Sequence, residues 1–287
     1  VNIAGVLTCF TLKNIHSKKA GLISYALMTP LILLSPWIII PYTDTMGLFF
    51  TSIIIYLYSR KEKKIYDYFF ISFFAIIGYY IKPTVVIILM AIIIIEILSN
   101  YNKINVRYLK KNFKIYTVFL IGVIIAFCIN SSAKYIINFK PVSYVEPFTF
   151  VHYLAMGQNN KTLGTYSEKD INDTATLGKK NDIKKFKDRL TNRNVNEQIN
   201  FFKNKTLLNF NDGSFCWGLD GSFFYKKNNN NNNLAKFLKS IYYADGKYYN
   251  NYIQVVHYIW LIVLFLTPWI VQKKNKKEEY VIMISII

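Results

Sequence analysis

The sequence predicts an all-α polytopic membrane protein, and three observations support this fold class. First, 53% of the 287 residues are hydrophobic, and they occur in long blocks instead of recurring at the spacing of a soluble helix or strand. Second, basic residues gather in alternate connections between these blocks. Third, one long polar segment, residues 132–252, separates the last blocks from the others.

The apolar blocks are the predicted membrane helices. They cover residues 1–12, 20–40, 46–58, 68–81, 84–98, 116–131, 255–271 and 280–287. Several approach the roughly 20 residues that cross the hydrocarbon core of a bilayer. The shorter blocks are flanked by Tyr and Lys residues that extend them into the membrane interface. We therefore expect about six spans in 1–131, the first one truncated, a polar domain at 132–252, and a span, a basic loop and a truncated span in 253–287.

Both ends of the sequence are apolar. Val1 already lies inside an apolar stretch, and the final residues, YVIMISII, begin an apolar segment that is too short to cross a membrane. We therefore expect the chain to be an internal fragment of a longer protein.

The basic residues predict the orientation of the chain in the membrane. They cluster at 13–19, 60–64, 103–114 and 273–277, whereas the short connections between these clusters hold only Lys82. The positive-inside rule places the clusters in the cytoplasm, and long loops cross the membrane largely regardless of their charge. The sequences PYTDT and IKPT and the segment 132–252 are thus expected on the extracytoplasmic face. Because these clusters account for much of the net charge of +19, it does not indicate a nucleic-acid partner.

The polar segment is predicted to be mainly helical. Pro141 and Pro147 are expected to interrupt a helix that leaves the membrane. Ser167, which precedes two acids, predicts a helix N-cap, and the apolar spacing between 183 and 208 predicts further helix. Turns or loops are predicted at Asp212-Gly213, at Asp220-Gly221 and at the low-complexity run Asn228–Asn233.

Two charged residues in the short extracytoplasmic connections are the candidate site. Asp44 either caps the helix that follows it, or provides a carboxylate at the membrane edge that orients a hydroxyl, acts as a base or holds a metal ion. Lys82 either snorkels to the interface or binds the phosphate of a lipid. An acid and a base at the same depth favour a site for a lipid phosphate.

Other polar residues fit structural roles. Glu96 is expected to reach cytoplasmic water, and His152, which lies among aromatic residues, is expected to be structural. Cys9 and Cys128 occur in apolar blocks, and Cys216 stands alone in the polar segment, so no disulfide framework is predicted.

The residues 7–50, LTCFTLKNIHSKKAGLISYALMTPLILLSPWIIIPYTDTMGLFF, resemble the second and third spans of the GT-C membrane glycosyltransferases. These include the protein mannosyltransferase-like and aminoarabinose transferase-like families. Ser35-Pro36 and Asp44 match a third span that runs through Ser-Pro into a loop with an acid. Lys82 in YYIKPTVV is similar to the family's lysine that contacts the phosphate of the lipid-linked donor.

Two stretches of the polar segment add to the resemblance. LAMGQNNKTLGTYSEKDI and NFNDGSFCWG are similar to parts of the extracytoplasmic region of a Gram-positive subgroup, some members of which are associated with an exosortase-like system. The resemblance implies a GT-C-like helix bundle with one large extracytoplasmic insertion. It also implies a multi-pass protein of the cell membrane.

The resemblance further implies a membrane glycosyltransferase that acts by direct displacement. The donor would be a polyprenyl-phosphate sugar, and the acceptor a cell-surface glycan, lipid or protein. Lys82 would contact the phosphate, Asp44 would be the second acid, and Glu168 and Asp170 would contact the acceptor or a possible divalent metal. The principal catalytic Asp would lie upstream of Val1, so the fragment alone is expected to be inactive.

Two other activities remain open. A transporter of lipid-linked saccharides would also need extracytoplasmic charges, although such proteins usually contain internal repeats. A polysaccharide polymerase or ligase would also have many spans and a large outer loop, in which arginines contact phosphate. The polar segment has only Arg189 and Arg193 for that role.

Overall fold

The computed structural model describes residues 1–39, 43–101, 106–137, 150–211, 214, 217, 232–270 and 277–286. All regular secondary structure in these residues is helical, which confirms the predicted all-α class. The chain forms two compact units. The first unit contains Val1–Phe139 and Ser214–Ile287, and the second contains Lys140–Gly213.

Among the described residues, eight α-helices follow the predicted apolar blocks in order and four lie in the polar segment 132–252. They are α1 (Asn2–Ile15), α2 (Lys18–Met28), α3 (Thr43–Tyr58), α4 (Ile65–Ile81), α5 (Val86–Asn100), α6 (Val106–Ile136), α7 (Phe150–Gly157), α8 (Glu168–Thr191), α9 (Val195–Phe210), α10 (Asn233–Tyr242), α11 (Tyr249–Ile270) and α12 (Lys277–Ile286). A π-helical turn at Thr29–Leu33 continues α2, and 3-10 turns occupy Pro36–Ile39 and Pro83–Val85.

Three helical segments among the described residues are long and apolar enough to cross a membrane. They are Pro83–Asn100, Asn112–Ile136 and Tyr249–Leu266. The apolar helices α3 and α4 have 16 and 17 residues, which at 1.5 Å per residue give about 24–26 Å, somewhat less than the roughly 30 Å of hydrocarbon. The three long segments support a membrane protein.

Close contact between α4 and α6 organises the first unit. A Cβ atom added at Gly122 of α6 would lie 2.5 Å from the carbonyl oxygen of Phe69 in α4, so only glycine fits there without a shift. One turn along α4, the Ser72 hydroxyl donates a hydrogen bond of 2.8 Å to the carbonyl of Phe119. Small residues that let two backbones approach are typical of helix pairs in membranes.

One end of the first unit is held by ion pairs. Arg60 Nη1 lies 2.6 Å from Oδ1 of Asp67, a fully buried carboxylate at the start of α4. Lys277 pairs with Glu96 at 3.2 Å and Lys63 with Glu278 at 3.5 Å, and His16 Nε2 lies 3.3 Å from Glu279, a contact that becomes an ion pair when the imidazole is protonated. Glu96 also accepts a hydrogen bond from the Tyr58 hydroxyl at 2.8 Å. We call this the basic end of the first unit, because Lys277 and the basic clusters 13–19 and 60–64 adjoin it.

The second unit is built around a helix that folds back on itself. Ser167 caps α8, as predicted, by accepting a hydrogen bond from the Asp170 amide. Within α8, Gly178 has φ 70° and ψ −173°, a conformation that glycine adopts without a Cβ penalty. Side chains on the two sides of Gly178 pair in antiparallel order, Thr174 with Asp182 at 2.7 Å and Asp173 with Lys185 at 2.5 Å. Residues 168–177 and 179–191 are thus the two arms of a hairpin.

The predicted helical stretch 183–208 is two helices in the structure. The second arm of α8 ends at Thr191, and α9 begins at Val195. The break occurs because Asn194 and Glu197 form a capping box, in which each side chain accepts a hydrogen bond from the other's amide. The apolar spacing continues across this break, so the periodicity alone did not reveal it.

The limits of the second unit differ from the predicted polar domain, 132–252. Helix α6 continues to Ile136, and residues from Ser214 onward cluster with the first unit. Asn232, in the predicted loop tip Asn228–Asn233, caps α10 by accepting a hydrogen bond of 2.7 Å from the Ala235 amide. Several residues named in the sequence predictions lie outside the described residues, namely Pro141, Pro147, Asp212-Gly213, Asp220-Gly221 and Cys216.

Candidate functional site

The structure brings Asp44 and Lys82 into contact. Lys82 Nζ lies 2.7 Å from Oδ1 of Asp44 and donates a hydrogen bond of 2.9 Å to Oδ2. Asp44 occupies the first turn of α3, and Lys82 is the C-cap residue of α4. The pair therefore lies where α3 begins and α4 ends, which we call the Asp44 end of the first unit. It is the opposite end of these two helices from Arg60 and Asp67.

Two glycines lie where α3 and α4 pack together next to this ion pair. A Cβ atom at Gly78 of α4 would lie 2.7 Å from Val85 Cγ1 and 2.9 Å from Phe50 Cβ, so α3, α4 and the 3-10 turn after Lys82 meet closely there. At Gly47 of α3 an added Cβ would lie 3.6 Å from Cβ of Lys82, at ordinary contact distance. The lysine side chain thus passes beside Gly47 on its way to the carboxylate one turn earlier.

The ion pair is partly open to solvent. The side chain of Asp44 is 51% exposed and that of Lys82 is 28% exposed. Exposed pairs of this kind contribute about 0–1 kcal/mol, so a ligand can replace either partner at small cost. The amide groups at the start of α3 also favour negative charge, which stabilises Asp44 there and suits an anionic ligand. The arrangement can bind a phosphate through Lys82 and accept a proton or a hydroxyl hydrogen bond at Asp44.

An aromatic cluster at the same end was not identified from the sequence. The rings of Trp37 and Trp217 meet edge to face at 5.2 Å, and the Trp217 indole donates a hydrogen bond of 2.7 Å to the carbonyl of Tyr242. Tyr249 donates to the carbonyl of Trp217 at 3.1 Å, and Tyr242 donates to that of Leu34 at 2.9 Å. The cluster ties the connection before α3 to α10 and α11. Both tryptophans are visible in the sequence, but their contact depends on tertiary packing.

Asp170 is enclosed by cations. It is 3% exposed, and it accepts hydrogen bonds from both guanidinium nitrogens of Arg189 at 2.7 and 3.0 Å and from Asn159 at 2.9 Å. Burial alone would raise the pKa of this carboxyl, but the hydrogen bonds from Arg189 and Asn159 outweigh burial and lower the pKa to about 2. Asp170 is thus ionised at neutral pH and anchors the α8 hairpin. Glu168 lies in the first turn of α8, as Asp170 does, but its side chain is exposed.

A polar cavity of about 540 Å³ lies beside Asp170. It is bordered by the connection after α7 and by both arms of α8, and its lining includes Asn160, Lys161, Lys169 and Arg193. Mixed amide, ammonium and guanidinium groups can hydrogen-bond a hydrophilic ligand such as a saccharide. The sequence did not reveal this cavity because it forms only when α8 folds back at Gly178.

His152 is buried in the second unit, as its expected structural role requires. The ring is 1% exposed, and Nδ1 lies 2.7 Å from the Thr174 hydroxyl, which in turn contacts Asp182 at 2.7 Å. The burial of His152 and Asp182 between α7 and α8 favours packing over contact with substrate. Among the described residues, no three His, Cys, Asp or Glu side chains are grouped to hold a metal ion. A divalent metal therefore stays a prediction.

A protein-family model described as a conserved hypothetical integral membrane protein matches residues 1–287. The chain therefore belongs to this family of integral membrane proteins. Neither a curated protein nor a solved structure matches it.

Proposed function

We propose that this integral membrane protein is part of a glycosyltransferase that moves a sugar from a polyprenyl-phosphate donor to an extracytoplasmic acceptor. In this proposal the chain crosses the membrane several times, and the Asp44 end and the second unit lie outside the cytoplasm. The acceptor is a cell-surface glycan, a lipid or a protein. The contact between Asp44 and Lys82 is the observation that carries the proposal.

The position of the ion pair suits a donor that is anchored in the bilayer. Both residues lie at the ends of apolar helices, so the hydrocarbon chain of a lipid donor can stay in the membrane while its phosphate reaches Lys82. The basic clusters adjoin the other end of the same helices, and the positive-inside rule assigns that end to the cytoplasm. This orientation supports an extracytoplasmic reaction.

The chemistry requires one group for the leaving phosphate and one for the attacking hydroxyl. In a direct displacement, the acceptor oxygen forms a bond to the anomeric carbon while the bond from that carbon to the phosphate oxygen breaks. Lys82 stabilises the negative charge that develops on the phosphate. Asp44 orients the acceptor hydroxyl, whose proton passes to a general base as the new bond forms.

The arginines of the second unit give less support to a polymerase or ligase. Arg189 is held by Asp170 and by the carbonyl of Ala155 at 2.6 Å. Arg193 donates to the Gln158 side chain at 2.9 Å and lies 3.9 Å from the centre of the Phe201 ring. Both guanidinium groups are thus engaged within the unit. A transporter of lipid-linked saccharides remains the alternative that uses the same ion pair.

The test uses membrane vesicles that contain the protein and a polyprenyl-phosphate sugar. Lys82→Ala is expected to lower sugar transfer by about 100-fold or more, the usual effect of removing a group that stabilises developing charge. Asp44→Asn is expected to lower it by about 100-fold, because a misplaced acceptor hydroxyl reacts more slowly by that factor. Lys82→Ala should also raise the KM for the donor, because Lys82 contacts the donor before reaction.

The matched controls are Glu96→Gln and Lys277→Ala. These residues also form an ion pair between helix termini, at 3.2 Å and 43% exposure on both sides, but at the basic end. Their transfer rates should stay within about twofold of the unaltered protein, since they contact neither donor nor acceptor. Unchanged transfer in both Lys82→Ala and Asp44→Asn, at equal amounts in the membrane, would refute the assignment. Donor flipping without transfer would favour the transporter.

A further inference from the structure

Helix α10 is the most strongly amphipathic helix in the described part of the chain. Its apolar residues Leu234, Phe237, Leu238 and Ile241 follow the i, i+3, i+4, i+7 spacing that places them on one face, within an arc of about 100°. Three of them are exposed, Leu234 at 65%, Phe237 at 55% and Leu238 at 38%. Lys236, Lys239 and Ser240 occupy the other face. No residue of α10 is buried, so the described part of the chain leaves the apolar face accessible.

The attachment of α10 sets its level relative to the membrane. The candidate membrane segment Tyr249–Leu266 begins seven residues after α10 ends. The Tyr248 amide donates a hydrogen bond of 2.7 Å to the Ser240 carbonyl, and the rings of Tyr242 and Tyr252 meet edge to face at 5.0 Å. These contacts hold α10 against the first turn of α11, where that segment enters the membrane.

An apolar groove continues the exposed face. It has a volume of about 440 Å³ and lies between α10 and α11, lined by Phe237, Ile241, Tyr248, Asn251, Tyr252 and Val255. Three of these residues, Asn251, Tyr252 and Val255, belong to the candidate membrane segment. Hydrocarbon chains that surround α11 therefore have direct access to the groove. The tyrosines around it are residues that favour the boundary between lipid and water.

We propose that α10 lies in the plane of the membrane interface at the Asp44 end and inserts its apolar face into the bilayer. Leu234, Phe237, Leu238 and Ile241 contact acyl chains, and Lys236 and Lys239 face the lipid headgroups and water. A helix of this composition typically buries its apolar face about 5–10 Å into the boundary between headgroups and acyl chains. A phospholipid bilayer is the partner because α10 is anchored at the entry point of a membrane segment. This inference does not depend on the glycosyltransferase proposal.

The experiment measures the depth of each face of α10 in the full chain. Cys9, Cys128 and Cys216 are replaced by alanine, and one cysteine is introduced by Leu238→Cys or, as the matched control, by Lys236→Cys. Each variant is labelled with an environment-sensitive fluorophore and reconstituted into vesicles of phosphatidylcholine and phosphatidylglycerol without any sugar donor. Quenching is measured with nitroxide-labelled lipids and with aqueous iodide. Leu234→Cys provides a second apolar position if Leu238→Cys does not fold.

The proposal expects opposite results on the two faces. The probe at 238 should be quenched by the lipid nitroxide and protected from iodide, while the probe at 236 shows the reverse. Their depths should differ by about 10 Å, the diameter of a helix. Equal quenching of both probes by iodide would place α10 in water and overturn the proposal. Protection of position 238 from both quenchers would also overturn it, because a protein surface would then cover the face.

Discussion

Replacement of Asp170 by asparagine tests whether its ion pair closes the α8 hairpin. The carboxylate accepts two hydrogen bonds from Arg189, 19 positions later in the chain, and thereby joins the two arms across Gly178. Asparagine has nearly the same shape, so the substitution removes the charge without leaving a cavity. Arg189 then lacks its partner, although its side chain is 22% exposed and keeps the hydrogen bond to Ala155.

The magnitude follows from two lines of reasoning. The lowered pKa of Asp170, about 2, means that the folded state stabilises its charged form by about 2 kcal/mol relative to the unfolded chain. Removal of one partner from a buried ion pair costs about 3–5 kcal/mol, and less where the remaining charge reaches water. We therefore expect the opening free energy of α8 to fall by about 2–4 kcal/mol.

The assay is hydrogen exchange of the full chain in detergent, read by mass spectrometry on peptides that cover residues 168–191. Local exchange reports local opening, so a loss of 2–4 kcal/mol should accelerate exchange by roughly 30- to 1,000-fold. Asp188→Asn is the control, because it makes the same chemical change at an exposed position of the same helix. It should change the opening free energy by less than about 0.5 kcal/mol.

Two results would refute this reasoning. One is exchange in α8 that stays within about threefold of the unaltered chain after Asp170→Asn, which corresponds to less than about 0.7 kcal/mol. The other is an equal acceleration by Asp188→Asn, which would show that the charge of the helix matters and the contact with Arg189 does not.

Two further predictions concern the pH and the helix contact. Because the pKa of Asp170 is lower in the folded state, its carboxylate stabilises the fold fully above about pH 4, and this contribution is lost as the pH falls toward 2. Hydrogen exchange in α8, corrected for its intrinsic pH dependence, should therefore accelerate over that range. Asp170→Asn should abolish this response. Gly122→Ala should destabilise the protein by about 1–3 kcal/mol and lower its thermal midpoint in detergent, since the added Cβ would meet the carbonyl of Phe69 at 2.5 Å. Gly47→Ala, with 3.6 Å to its nearest neighbour, should be tolerated. Equal midpoints for the two variants would contradict the packing of α4 on α6.

The sequence predicted those features that depend on composition and local spacing. Apolar blocks predicted helices because a backbone in hydrocarbon must satisfy its own hydrogen bonds, and the order of α1 to α6 follows those blocks. Ser167 predicted a helix start because a hydroxyl at that position accepts a hydrogen bond from the first turn. The family match confirms an integral membrane protein. The transferase activity and the roles of Asp44, Lys82, Glu168 and Asp170 stay predictions.

Other features depended on which distant residues meet, and no local rule supplies that information. The sequence placed Asp44 and Lys82 in separate connections, and only the packing of α3 on α4 through Gly78 brought them to 2.7 Å. The sequence predicted a helix start at Ser167 and further helix between 183 and 208, but not the hairpin, because the reversal depends on the backbone conformation of a single residue, Gly178. The amphipathic pattern of α10 is local, but its level at the membrane follows from its contacts with α11. Composition and periodicity thus determined the helices, and tertiary packing determined which charges and faces they bring together.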